Sequence, residues 1–107
     1  MINNSNPGSE PIQGYFVILD EDERKKIEES RKLEGGRAGV FKQKETLIDV
    51  LQSNKALKDK HMHIVEITAP THCITNLSHE KFGIKGVHEI TIKKIEPFEE
   101  ALLRKQA

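Results

Sequence analysis

Residues 61–70 read HMHIVEITAP and form the strongest strand pattern in the second half of the chain. Side chains alternate between the two faces of an extended chain, so Val65 and Ile67 share one face and Ile64 lies on the other. Apolar side chains on both faces are typical of an internal strand that is covered on two sides. Pro70 cannot donate to a strand ladder, so we expect the strand to end there.

The remaining elements are predicted outward from this strand. The expected order is a strand at 15–19, a helix at 21–34, a short strand at 38–41, a helix at 43–53, the strand at 61–68, a weakly patterned piece at 73–77, a strand at 87–95 and a final helix that begins at Pro97. Asp20 and Glu23 resemble a capping box at the start of the first helix. Gly35 and Gly36 suit its end. Residues 78–86 are predicted to be a loop because glycines in it favour turns.

The length of 107 residues indicates one domain. Residues 1–13 are rich in Asn, Ser, Pro and Gly and are predicted to be a flexible N-terminal tail, followed by a single α+β domain at 14–107. Because strand 87–95 is half-exposed, we expect a small mixed β-sheet of about four to five strands. Two to three helices are expected to pack on it in a single layer.

The composition argues against several classes of partner. Lys and Arg number 17 and so do Asp and Glu, with one Tyr and no Trp. A neutral chain with so few aromatic residues to stack on bases is not typical of a nucleic-acid binder. The sequence has no segment of transmembrane length and no signal-peptide pattern. Its one cysteine excludes an internal disulfide, which fits a reducing compartment. We therefore expect a cytoplasmic protein that binds neither nucleic acid nor membranes.

The glycine-rich loop around Arg37 is the predicted ligand-binding segment. Backbone N–H groups of Gly36 and Gly39 and the Arg37 guanidinium suit a phosphate or carboxylate, and His63 on the central strand is a further candidate. The loop lacks the ending of a P-loop and the spacing of a dinucleotide fingerprint. The alternative interpretation is a helix end followed by a tight turn.

Three residues are candidates for catalysis. Glu66 lies in an otherwise apolar strand, where burial would raise its pKa and suit it to acid–base chemistry; the alternative is exposure at a sheet edge or pairing with Lys93 or Arg37. Glu89 is a second acid–base candidate. Cys73 could act as a nucleophile with a distant histidine as base, or it could be a small buried apolar residue.

His61 and His63 are the candidates for metal binding, because residues two apart on a strand point to the same face. Further ligands would have to come from four other residues: His72, Cys73, His79 and His88. None of the usual metal-binding spacings occurs. We therefore predict no metal site and no cofactor.

These observations favour a small protein-binding or regulatory domain that acts through its surface or a sheet edge. Strand 87–95 could add to a strand of a protein partner or pair with its own copy in a homodimer, and Lys93 and Lys94 would protect such an edge from uncontrolled pairing.

The alternative is a small enzyme or anionic-ligand-binding domain, related to nucleotide or NAD chemistry. Arg37 would contact the anion, and a Glu or His would act as acid–base group. The layout loosely resembles part of the small NAD-consuming transferases, with an apolar first strand, a Gly-Arg loop and a late strand bearing Glu89. It contains no motif that defines that family.

Overall fold

The described residues of the protein fold into an antiparallel six-stranded sheet with three α-helices. The computed structural model describes residues 11–33, 35–55, 61–76, 79–85 and 89–106, with side chains up to Arg104. The elements in order are β1 (Ile12–Ile18), α1 (Glu21–Ser30), β2 (Arg37–Phe41), α2 (Lys44–Ser53), β3 (His63–Ala69), a short 3-10 helix (Thr71–Cys73), β4 (Ile74–Thr75), β5 (Lys81–Ile84), β6 (Thr91–Pro97) and α3 (Phe98–Gln106). The α+β class predicted from the sequence is therefore confirmed.

The central strand predicted around residues 61–68 is β3. The sheet order is β4-β5-β2-β1-β3-β6, so β3 lies between β1 and the edge strand β6. It pairs with β1 along the full strand, from Ile12 opposite Ala69 to Ile18 opposite His63. Pro70 follows its last residue, as expected for a residue that cannot donate to a ladder.

Helices cover both faces of the sheet, so the predicted single layer of helices is wrong. On one face, Phe16, Ile18 and Val65 pack with Ile27 of α1. On the other face, Ile64 packs with residues of α2 and α3, and Tyr15 and Val17 lie against this second core. The physical reason is the apolar content of both faces of β1 and β3, because each apolar face must be removed from water.

The strand count and strand directions also differ from expectation. Lys81–Ile84, predicted to be part of a loop, forms β5 between β2 and β4. Phe82 and Ile84 are buried in it, but a strand of four residues that contains Gly83 gives a weak local pattern. The sheet therefore has six strands rather than four to five. Every pair of neighbouring strands is antiparallel, so the predicted mixed sheet is wrong.

Several helix and strand boundaries differ from the predicted ones by a few residues. Helix α1 ends at Ser30, because Arg31 adopts the left-handed conformation with φ 57° and its N–H donates to the Ile27 carbonyl at 2.7 Å. The predicted end at residue 34 is therefore too late. β1 begins at Ile12, two residues before the predicted domain start, and residues 1–10 lie outside the described part of the chain.

The C-terminal elements also begin later than predicted. β6 begins at Thr91, and residues 87 and 88 of the predicted strand 87–95 lie outside the described part of the chain. Pro97 is the last residue of β6, and α3 begins one residue later at Phe98. No helix among the described residues has the length and apolar character needed to cross a membrane.

Candidate functional site

β6 forms the longer edge of the described sheet, and two of its exposed side chains are lysines. It has seven residues, whereas β4 at the opposite edge has two. Lys94 is opposite Glu66 and Ile92 is opposite Ile67, so Lys93 is the extra residue of a β-bulge. Lys93 and Lys94 are both exposed. The edge predicted for this part of the chain is therefore present, and two lysines lie on it.

The inner side of β6 is anchored by a buried carboxylate. Glu96 is 3 % exposed and forms ion pairs with Lys44 of α2 at 2.5 Å, with Lys94 at 3.7 Å and with Arg104 of α3. Burying a carboxylate without positive partners would be unfavourable, so three cations make its position tolerable. The ion pairs tie the edge strand to both helices on that face.

Arg31 binds the same strand from the opposite layer. Its guanidinium Nη2 donates to the Ile92 carbonyl of β6 at 3.3 Å. Arg31 also ends α1, so one residue stops the helix and contacts the sheet edge. β6 is therefore held by groups from all three helices or their ends.

The Arg37 guanidinium is engaged within the fold. It pairs with Glu23 at 3.0 Å, donates to the Val17 carbonyl at 3.2 Å and lies over the Phe16 ring at 4.2 Å from the centroid. Glu23, expected to complete the capping box, is therefore used by Arg37. The Asp20 carboxylate still caps α1 by accepting from the Asp22 N–H at 3.0 Å.

The surroundings of Arg37 are mixed in charge. Arg37 and Gly36 line a cleft of about 360 Å³ together with three acidic residues: Asp20, Asp22 and Glu23. Gly39, with φ 74°, and His63 are not among the described residues that line it. The structure thus brings together two of the four predicted ligand-binding residues. Anion binding by Arg37 remains a prediction, and the neighbouring acids oppose it.

Glu66 lies on the part of the sheet where polar residues meet. Its carboxylate accepts a hydrogen bond from the Gln13 amide, and it is opposite Tyr15 on β1 and Lys94 on β6. Burial, then the charge of Glu66, then that of Glu45 raise the pKa of the Tyr15 phenol. Glu66 is half-buried, and its cross-strand basic neighbour is Lys94 rather than the expected Lys93 or Arg37.

His61 and His63 lie at the start of β3, exposed and half-buried respectively. The pKa of Glu21 is lowered mainly by a hydrogen bond from Arg24, with smaller contributions from the charges of both histidines. Within the described ranges, neither histidine belongs to a group of three potential metal ligands. His79 is exposed, and His88 lies outside the described residues.

Two of the catalytic candidates, Cys73 and Glu89, come together with His72. His72 Nε2 lies 2.8 and 2.9 Å from the two Glu89 carboxylate oxygens, and Cys73 Sγ lies 3.9 Å from Oε1. Burial, then the Glu89 charge and its contact with the thiol, raise the pKa of Cys73. This proximity could not be predicted from local pattern, because Glu89 follows Cys73 by sixteen positions and no known motif links them.

Comparison of the chain with protein-family models, with curated proteins and with solved structures finds no significant match.

Proposed function

We propose that this protein is a small protein-binding domain that accepts an extended acidic segment of a partner along the outer edge of β6. The observation that supports the proposal is the position of β6 at the sheet edge, with Lys93 and Lys94 exposed on it. An edge strand offers unpaired backbone N–H and C=O groups to an added strand. Main-chain hydrogen bonds then supply affinity, and side chains supply specificity.

The charges favour an acidic partner over a second copy of the chain. In a twofold antiparallel pair of β6 strands centred on the lysines, Lys93 and Lys94 of one copy would lie opposite lysines of the other. Like charges directly opposite each other destabilise a strand pair. Glu96 offsets this repulsion only in part, because its buried carboxylate is shared by Lys44, Arg104 and, at 3.7 Å, Lys94.

Features of the edge restrict how a partner can bind. The bulge at Lys93 interrupts regular strand pairing. The Ile92 carbonyl already accepts a hydrogen bond from Arg31, and Pro97 has no N–H to donate to a partner strand. These devices protect an edge strand from indiscriminate association. They leave residues 93–96 as the segment along which a short acidic strand would pair. We further propose a cytoplasmic location, which the single cysteine of the sequence supports.

The first test is a binding titration with a fluorescent peptide in which Glu alternates with Val, against the untagged protein. The variant Lys93→Glu/Lys94→Glu should bind at least about tenfold more weakly, because charge complementarity across the strand pair is reversed. The control variant Lys25→Glu/Lys55→Glu has the same net charge change at two exposed lysines, one on α1 and one after α2. It should bind within about twofold of the wild type once salt screens long-range effects. Equal loss in both variants would contradict a site on β6.

A second peptide separates strand addition from simple charge attraction. N-methylation of alternate residues removes the N–H donors on one edge of the peptide and leaves its charge unchanged. If β6 accepts a strand, methylation on one of the two edges abolishes binding and methylation on the other does not. Unchanged binding by both methylated peptides would show that the lysines attract the peptide without strand pairing.

A further inference from the structure

The cluster of His72, Cys73 and Glu89 lies on a different part of the molecule from the basic residues of β6. The 3-10 helix Thr71–Cys73 presents His72 and Cys73 directly after Pro70. It is held by a hydrogen bond from the Cys73 N–H to the Pro70 carbonyl at 3.0 Å and by one from the Lys85 N–H to the Cys73 carbonyl at 2.8 Å. Glu89 comes from the connection between β5 and β6.

We propose that His72, Cys73 and Glu89 form a binding site for a Zn²⁺ ion with an open fourth coordination position. One ligand atom from each side chain, an imidazole nitrogen, a thiol sulfur and a carboxylate oxygen, lies within 4.8 Å of the other two. Zn²⁺ accepts all three atom types in tetrahedral sites. A site with three protein ligands leaves one position for water or a bound molecule.

The spacing of these atoms suits such an ion. Zinc–ligand bonds of 2.0 to 2.3 Å place neighbouring ligand atoms about 3.3 to 3.8 Å apart in a tetrahedron. From Glu89 Oε1, the observed separations are 2.9 Å to His72 Nε2 and 3.9 Å to Cys73 Sγ. Small rotations of the two exposed side chains would bring all three atoms to bonding distance.

Exposure defines an entry route for the ion. Cys73 is 2 % exposed and forms the floor of the site, whereas the His72 and Glu89 side chains are 66 % and 54 % exposed and form its rim. A metal ion can therefore enter from solvent and reach the buried sulfur last. The Glu89 carboxylate, which pairs with His72, supplies the negative charge that attracts a cation.

A nucleophilic cysteine would need a different arrangement. An activated thiol has an imidazole or another cation beside the sulfur, which stabilises the thiolate. Here Glu89 Oε1 lies 3.9 Å from Sγ, and the His72 imidazole is engaged with the same carboxylate, with Nε2 at 2.9 Å from Oε1 and 2.8 Å from Oε2. The carboxylate would oppose formation of a thiolate in the absence of a metal. Coordination of a divalent cation removes this conflict, because the ion is attracted to all three groups together.

The test is a titration of the full-length, untagged and reduced protein with Co²⁺, which replaces Zn²⁺ in tetrahedral sites and has visible absorption. We expect one equivalent to bind with a thiolate-to-cobalt charge-transfer band, and Zn²⁺ to displace it. His72→Gln and Glu89→Gln change exposed side chains, and each should weaken Co²⁺ binding by at least about tenfold, since even indirect metal partners contribute that much. Cys73→Ser should abolish the charge-transfer band.

Two variants serve as matched controls. His79→Gln and His63→Gln remove histidines outside the cluster and should leave the affinity and the absorption band unchanged. The proposal would be overturned by the absence of a charge-transfer band in the wild type. It would equally be overturned if His72→Gln and Glu89→Gln bound Co²⁺ as tightly as the wild type, or if His63→Gln abolished binding while they retained it.

Discussion

Gly14 lies in β1 between two buried side chains, where a larger residue does not fit. A Cβ at this position would lie 2.6 Å from Val40 Cγ1 and 2.8 Å from Phe82 Cζ. Both neighbours are fixed in the core, at 0 % and 2 % exposure. We predict that Gly14→Ala lowers the free energy of unfolding in urea by about 1–3 kcal/mol, the usual cost of overpacking.

Gly35 provides the matched control for this substitution. A Cβ there would meet no atom within 4 Å, so Gly35→Ala should change the free energy of unfolding by less than about 1 kcal/mol. Equal unfolding midpoints for the two variants would show that Val40 and Phe82 can move aside.

Tyr15 allows a direct test of electrostatics in the sheet, because it is the only tyrosine and the chain has no tryptophan. Burial, then Glu66, then Glu45 raise its pKa above the ordinary value of 10.0. Ultraviolet absorbance against pH should therefore give a midpoint above 10.0. Glu66→Gln should lower that midpoint without restoring the ordinary value, since burial is the larger cause. Glu100→Gln, at an exposed position of α3, should leave it unchanged.

Because folding raises the pKa of Tyr15, ionisation of this residue changes the free energy of unfolding in a definite direction. The unfolded chain loses the phenol proton at a lower pH than the folded protein, so this group favours folding below pH about 10 and ceases to do so as the pH rises through the folded pKa. As the pH rises through the folded pKa of the phenol, the free energy of unfolding of a Tyr15→Phe variant should fall less than that of the wild type. An absorbance midpoint at or below the ordinary value would contradict the burial of Tyr15 beside Glu66.

At the level of elements, the start of α1 depends on Asp20. Its carboxylate accepts from the Asp22 N–H at 3.0 Å, and Asp20→Ala should lower the free energy of unfolding by about 0.5–2 kcal/mol. Asp20→Ser keeps an oxygen acceptor and should lose only a few tenths of a kcal/mol by roughly the same scale. Urea unfolding of the three proteins measures this order. Equal losses of unfolding free energy in Asp20→Ala and Asp20→Ser would mean that the negative charge of Asp20, rather than its hydrogen bond with the Asp22 N–H, stabilises the helix.

The ion cluster around Glu96 predicts unequal roles for its lysines. Lys44 lies 2.5 Å from the carboxylate with 26 % exposure, whereas Lys94 lies 3.7 Å away with 49 % exposure. Lys44→Met should therefore lower the free energy of unfolding by about 1–3 kcal/mol, as for a hydrogen bond to a buried charge. Lys94→Met should cost less than about 1 kcal/mol, as for an exposed pair. A larger loss for Lys94→Met would contradict this account of how β6 is anchored.

Local pattern was sufficient for the elements that have strong periodicity or long apolar runs. β1 and β3 follow from their apolar runs, and α2 follows from four apolar residues at helical spacing: Leu47, Ile48, Val50 and Leu51. Of these four, Val50 is exposed and the other three are buried. β5 could not be found this way, because its four residues depend on pairing with β2 and β4 rather than on their own pattern. The apolar residues on both faces of β1 did contain the signal for helices on both sides of the sheet.

Less of the candidate sites than of the fold could be predicted from the sequence. Lys93 and Lys94 could be assigned to an exposed strand because alternation and charge are local features. The pairing of Arg37 with Glu23 and the contact of Cys73 with Glu89 could not, since each joins residues from different elements. No periodic pattern encodes such contacts, and they arise only when the sheet order brings the elements together.

For the molecule as a whole, the charges on the β6 edge predict a monomer. Light scattering after size exclusion should give a mass near 12.2 kDa at micromolar concentration, because lysines would oppose each other across a twofold β6 pair. A species of twice that mass would favour a second copy as the occupant of the edge.

The most direct test of strand addition is amide hydrogen exchange by NMR, with and without the alternating Glu-Val peptide. We predict that the peptide slows exchange at alternate residues within 93–96, because their outward N–H groups acquire acceptors. Residues that line the Arg37 cleft should exchange at unchanged rates. Unchanged exchange throughout β6 in the peptide-saturated protein would contradict the proposal that this edge is the binding site.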